Sequence, residues 1–116
     1  MGELTPVRWM GDTLDRVRRF SAEARADIGY QLELVQSDET PTDFRPMPDV
    51  GPGAMEIRVH AGSEYRVFYV ARFAEAVYVL HCFQKKTQKT RDADIELGRR
   101  RYRAAMEGRK HEGYKG

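Results

Sequence analysis

Residues 76–91 read AVYVLHCFQKKTQKTR, an apolar half followed by a cationic half. Residues 77–83 are rich in β-branched and aromatic side chains and too few for a typical helix, which predicts an interior β-strand. Lys85, Lys86 and Lys89 follow at once. A strand that delivers three ammonium groups into a short loop, just before a helix opens, is suited to bind phosphate. A solvated strand exit is the commoner fate of such a run.

The charge distribution extends this asymmetry to the whole chain. Residues 1–83 carry nine Arg and no Lys against 13 acidic residues, whereas residues 84–116 carry 11 Lys and Arg against five. The net charge of +2 therefore hides a basic final third, which suggests an anionic partner, nucleic acid first. With 116 residues the chain fits one domain, 1–116, with a single core. The lone Cys82 cannot form an internal disulfide and no secretory segment opens the sequence, so a cytoplasmic location is expected. No apolar run approaches the roughly 18 residues that span a bilayer, so no membrane is expected.

Outward from the strand, the elements follow from spacing. Downstream, a helix opens near Thr90 or Asp92 with acids in its first turns and Arg99, Arg100, Arg101 and Arg103 later, matching the helix dipole at both ends. Ile95, Tyr102, Ala105 and Met106 form its apolar side, and residues 108–116 are expected to be a flexible tail. Upstream, residues 55–60 and 64–71 flank Ala61-Gly62-Ser63 in a hairpin pattern, and with the strand that opens at Ala76 they predict an antiparallel meander of three. Arg58 shares a strand face with Glu56 and His60, and Arg66 with Phe68 and Val70; alternation alone leaves open whether those faces coincide.

Four prolines between residues 37 and 53 mark a rigid connection with a short edge strand near residues 44–47. Gly51-Pro52-Gly53 reads as a turn, because the proline lacks an N–H that a phosphate-cradling loop needs. Ahead of it, Ser21 is placed as an N-cap, with Ala24, Ile28, Leu32 and Val35 at helical spacing. A shorter helix capped by Asp12 precedes it, and residues 7–10 form an extended segment behind a loose end at residues 1–6.

VRWMGDTLDRV, FSAEARADIGYQL, DFRPMPDVGPGAMEIRV, YRVFYVARFAEAVYVLHCFQKKTQKT and DIELGRRRYRA stand in this order from Val7 to Ala105. In them the chain resembles the HigB-like, phage-derived toxin family of the RelE/ParE superfamily of bacterial type II toxin-antitoxin systems, most distinctively at the FQKKTQKT of residues 83–90. The resemblance implies an α+β, RelE-like fold: N-terminal strand, helical hairpin, mainly antiparallel sheet and C-terminal helix. It also implies a ribosome-dependent endoribonuclease that cuts translated mRNA and is neutralised by a helix-turn-helix, HigA-like antitoxin. Other superfamily branches inhibit a protein target, DNA gyrase, and an RNA-binding domain without catalysis is a third possibility.

Metal-free RNA cleavage needs a base for the 2′-hydroxyl, cations for the phosphorane charge and an acid for the leaving oxygen. The scattered His60, His81 and His111 give a metal site no support, and no cofactor is expected. From the residues alone Arg66 is a strand-surface arginine; the resemblance assigns it to the scissile phosphate. Lys85 and Lys86 point opposite ways in an extended segment, and the resemblance favours Lys85. An ordinary lysine is neutral in only about one molecule in 2,500 at pH 7, which favours a phosphate clamp over a base. His81 titrates in the useful range and is a candidate for proton transfer, or else a hydrogen-bonded core histidine. Arg58, Lys86, Lys89, Arg99 and Arg100 are expected RNA contacts. The tyrosine that some RelE-type nucleases carry after the strand-end cation is replaced here by Thr87, Gln88 and Lys89.

Overall fold

A computed structural model describes residues 3–115. Met1, Gly2 and Gly116 lie outside the described residues, and with them part of the loose end and of the tail expected from the sequence. The elements run β1 (Val7–Trp9), α1 (Thr13–Arg19), α2 (Ala22–Gln36), β2 (Phe44–Pro46), β3 (Ala54–His60), β4 (Glu64–Phe73), β5 (Ala76–Lys85) and α3 (Asp92–His111). This is the α+β order anticipated, and it is compatible with a RelE-like fold.

One sheet in the order β1-β5-β4-β3-β2 organises the molecule. β3, β4 and β5 form the expected antiparallel meander, and the 61–63 loop closes its first hairpin with Gly62 at φ +76°, a left-handed conformation that favours glycine. β1 pairs with β5 in parallel, Val7 beside Val77 and Trp9 beside Val79, a long-range choice that strand spacing does not predict. β5 is thus an interior strand, flanked by β1 and β4, and its apolar first half is buried on both sides of the sheet.

Each face of the sheet has its own core. On one, Ala24, Ile28, Leu32 and Val35 of α2 pack against Ile57, Val67, Val79 and Cys82. Ser21 caps α2 as expected, its hydroxyl accepting from the Ala24 amide at 3.1 Å. Asp12 makes no cap for α1; its carboxylate is taken by Arg16 and Arg101 instead. On the other face, Tyr102 and Ala105 of α3 pack on Phe68, Val70, Leu80 and Phe83. The Tyr102 hydroxyl donates to the Pro52 carbonyl at 2.6 Å, and any side chain at Gly51 would collide with its ring, so the 51–53 turn is shaped to admit α3.

Two ends differ from the sequence expectation. Thr5 is tied to Gln36 through its amide and its carbonyl, so the N-terminal segment is pinned to the end of α2. α3 continues past Gly108 to His111 because Arg109 is buried: its guanidinium lies 3.6 Å over the Phe73 ring and donates to Glu75 at 2.6 Å. A local pattern cannot foresee a partner 34 residues away.

The hydrogen bond from Arg109 lowers the Glu75 pKa to about 2 from an ordinary 4.5. A carboxylate whose folded pKa is depressed contributes stability that is present above its unfolded pKa and fades as pH falls towards the folded one. Glu75→Gln is therefore expected to lower the melting temperature clearly at pH 7 and progressively less as pH falls from about 5 towards 2. Thermal unfolding across that range checks it, and a gap independent of pH contradicts it.

Candidate nucleic-acid interface

The register of the sheet answers whether the arginine faces coincide. Arg58 on β3 stands directly opposite Arg66 on β4, and Arg66 is opposite Phe83 on β5. The next row outward pairs His60 with Glu64 and Glu64 with Lys85, and the next row inward crosses Arg45, Glu56, Phe68 and His81. Directly paired residues share a face, so Arg45, Arg58, Arg66 and Lys85 all lie on the face covered by α3.

Like charges directly opposite on neighbouring strands repel, and a buried carboxylate is what holds two of these together. Glu56 has no exposure; its Oε1 accepts from Arg45 Nε at 3.0 Å and from Arg58 Nε at 3.2 Å. Its Oε2 has no hydrogen-bond partner among the described residues. Arg66 is only 6% exposed. One of its terminal nitrogens donates to Glu64 at 3.1 Å and to the Tyr65 carbonyl at 3.0 Å, while its buried Nε has no partner. Glu64 divides its carboxylate between Arg66 and His60, whose other ring nitrogen meets Asp43 at 2.8 Å. Hydrogen bonds to Asp43 and Glu64 raise the His60 pKa.

Lys85 completes the cationic group. Partial burial, then the nearby Arg66 guanidinium, lower its pKa, with Glu56 acting in the opposite sense. With Glu64, Arg66, Lys86, Thr87 and Gln88 it lines an open cavity of about 560 Å³. Lys86 reaches the same cavity, although it points away from Lys85 along the chain, because β5 ends at Lys85 and the loop turns after it.

His81 does not sit where a substrate would meet it. It is 1% exposed, its ring is stacked on Phe83 at 4.8 Å, and its Nε2 faces the Asp94 carboxylate at 2.8 Å. Burial pulls its pKa down, against the pull of Asp94. The reason is an irregularity in β5: Phe68 pairs with His81 and Tyr69 with Val79, leaving Leu80 unpaired, so Leu80 and His81 both turn to the α3 face. Of the two roles open for His81, proton transfer or a hydrogen-bonded histidine in a buried strand, its surroundings match the second, with Nε2 against Asp94.

The other expected contacts separate. Arg99 donates to the Asp49 carbonyl at 2.6 Å and to Glu96, which ties α3 to the loop after β2. Arg100 and Lys89 are exposed but line neither the Arg66 cavity nor the one beside Asp94. Outside the expected set, Tyr65 and Tyr69 on β4 point to the opposite face and belong to the α2 core, where burial raises the Tyr69 pKa to about 12. A pairing of Arg58 with Glu56 or Glu64 is open from the sequence, and the structure has the Glu56 pair; sequence reasoning missed Arg45, the second arginine on that carboxylate. An acid at an inward position of an interior strand was the signal available, since a buried charge needs partners.

Among the described residues no group of three His, Cys, Asp or Glu could hold a metal ion, and no helix is long and apolar enough to cross a membrane. A family model described as phage-derived protein Gp49-like (DUF891) matches residues 15–103, a span holding the whole cationic face. A search of curated proteins finds no match to the chain.

Removing one partner of a buried ion pair usually strands the other's charge, but here only Glu56 is fully buried: the Arg45 and Arg58 side chains are 46% and 32% exposed and can turn into water. Glu56→Met is expected to leave the melting temperature unchanged or higher while RNA affinity falls about tenfold, because Arg45 and Arg58 lose their shared anchor. Paired melting and RNA-binding measurements check this; a large loss of stability with RNA affinity intact contradicts it.

Proposed function

Because the chain belongs to the Gp49-like family of phage-derived proteins, a family of RelE- and HigB-like toxins, we propose that it is a ribosome-dependent endoribonuclease of a type II toxin-antitoxin system that cuts translated mRNA. The observation that carries the reading is the opposition of Arg58 and Arg66 across β3 and β4, with Lys85 beside them. A half-buried cluster of like charge is costly alone and favourable around an anion, and the pentavalent phosphorane of RNA cleavage concentrates negative charge in the transition state.

In this mechanism Arg66 and Lys85 bind the scissile phosphate and stabilise the charge that develops on it. Arg45 and Arg58, held by Glu56, extend the cationic surface along the RNA backbone, and Lys86 adds a contact from the loop. Nucleophile and leaving group are the RNA's own 2′- and 5′-oxygens, so the protein's contribution is positioning and electrostatics. The chemistry is metal-independent and uses no cofactor. The lowered pKa of Lys85 makes proton transfer cheaper than for an ordinary lysine, but its geometry requires only a clamp. The neutralising partner is an antitoxin with a helix-turn-helix DNA-binding domain that covers this face.

The test is induced expression with mapping of transcript ends. The wild type is expected to create new ends within translated codons, and Arg66→Ala to reduce them about a hundredfold or more. Lys85→Ala is expected to behave like Arg66→Ala, while Lys85→Arg retains most cutting, because a clamp needs charge and a proton carrier needs a titratable group. Intact messages with double-strand DNA breaks would instead support a gyrase inhibitor, and equal cutting in all variants would remove this site from the mechanism.

A further inference from the structure

β5 has a partner on its outer edge only as far as Val79; β1 ends there, and among the described residues no strand pairs with the edge of residues 81–85. Along it lies a second cavity of about 340 Å³, separated from the Arg66 cavity by Lys85, Lys86 and Thr87, which line both. The size is that of a small-ligand pocket. Phe20, from the end of α1, and Phe83 give it apolar walls, while Arg16 and Arg91 bring positive charge. Asp94 contributes its only carboxylate, and this acid is 21% exposed.

Asp94 is not free to turn. Its Oδ1 is held by the buried Nε2 of His81 at 2.8 Å, and His81 is fixed in turn by stacking on Phe83. Among the described residues the second Asp94 oxygen has no hydrogen-bond partner, and the other charged groups lining the pocket are cations. Proteins read unpaired RNA bases by stacking them on aromatic side chains and bonding their polar edges, with cations holding the backbone. Here the half-buried Phe20, whose ring packs on Tyr65 at 4.8 Å, is the aromatic surface left for a base. Asp94 is the polar group and Arg16 and Arg91 are the cations, while Phe83, stacked on His81, only walls the cavity.

We propose that this cavity seats the base of a nucleotide adjacent to the scissile phosphate, and that Asp94 selects bases bearing an exocyclic amino group. Adenine, cytosine and guanine can donate an amino hydrogen to the single available oxygen. Uracil presents its one N–H between two carbonyls, which the carboxylate repels. The inference rests on the proposed RNA-cleaving function for its ligand class, and it makes the loop of residues 85–87 a partition between phosphate and base.

The test is a titration of the isotopically labelled full chain with AMP, CMP, GMP and UMP, followed by amide chemical shifts. The three amino-bearing nucleotides are expected to move the amides of Phe20, Phe83 and Asp94 at lower concentration than UMP, and Asp94→Asn to reduce that discrimination about tenfold, the scale of one charge-assisted hydrogen bond. Because Asp94→Asn also changes the contact to His81, Arg91→Ala serves as a second variant. It is expected to weaken all four nucleotides alike and keep the discrimination. Shifts confined to the Arg66 side, or equal responses to UMP and the others in the wild type, overturn the inference. Since binding is read without cleavage, failure of this pocket is distinguishable from failure of the nuclease reading, which the mapped transcript ends decide.

Discussion

The buried carboxylate of Glu56 is the constraint on which the functional face depends. It sits on an interior strand with no exposure and draws in Arg45 from the edge strand and Arg58 from its own. Without it, arginines on adjacent strands would turn outward into water, where charge is inexpensive to hold. With it, a row of guanidiniums is fixed along the part of the sheet that α3 leaves open. The arrangement satisfies its own charges only in part: Glu56 Oε2 and Arg66 Nε, both buried, have no partners among the described residues. Residual imbalance of this kind at a rigid site is what stabilises an anion that arrives from outside.

The same sheet explains why rigidity and exposure meet at one place. α2, together with Val17 and Phe20 at α1, packs on one face, and α3 covers the part of the other that carries Val70, Tyr78 and Leu80. Beyond the start of α3, β5 continues to Lys85 with β4 on one side and no strand on the other. The strand end is therefore anchored by a core buried on both faces and yet presents two cavities, one on each side of the loop that follows. Membership of the Gp49-like family places this geometry in a family of toxins, and the cationic character of both cavities is the property a bound RNA backbone requires.

Much of the architecture could be read from local pattern, because local pattern is what determines it. The apolar alternation of α2, the hairpin around Gly62 and the abrupt change of β5 from Phe83 to Lys85 each depend on neighbours within a few residues. What stayed hidden depends on partners far along the chain. The parallel docking of β1, the burial of Arg109 by Glu75, and the joining of Arg45 to Glu56 are all long-range choices. The displacement of His81 into the core follows from one unpaired residue, Leu80, in a strand whose alternation looked unbroken. Arg66, Lys85, Lys86 and Arg58 were legible as candidates because cations on strands and at strand ends are conspicuous. The second hold of Glu56, on Arg45 from the edge strand, and the contact of Asp94 with His81 were not, since an acid gains such partners only from what the fold brings to it.

The central claim is that the scissile phosphate lies between Arg66 and Lys85 while the protein acts on translated mRNA. The most direct measurement is the structure of the protein bound to a ribosome carrying mRNA made uncleavable by 2′-O-methylation. The account predicts one phosphate within about 3 Å of both the Arg66 guanidinium and the Lys85 ammonium, with Arg45 and Arg58 along the adjoining backbone. An mRNA path that leaves this face unoccupied, or a protein that does not engage the ribosome at all, would contradict it.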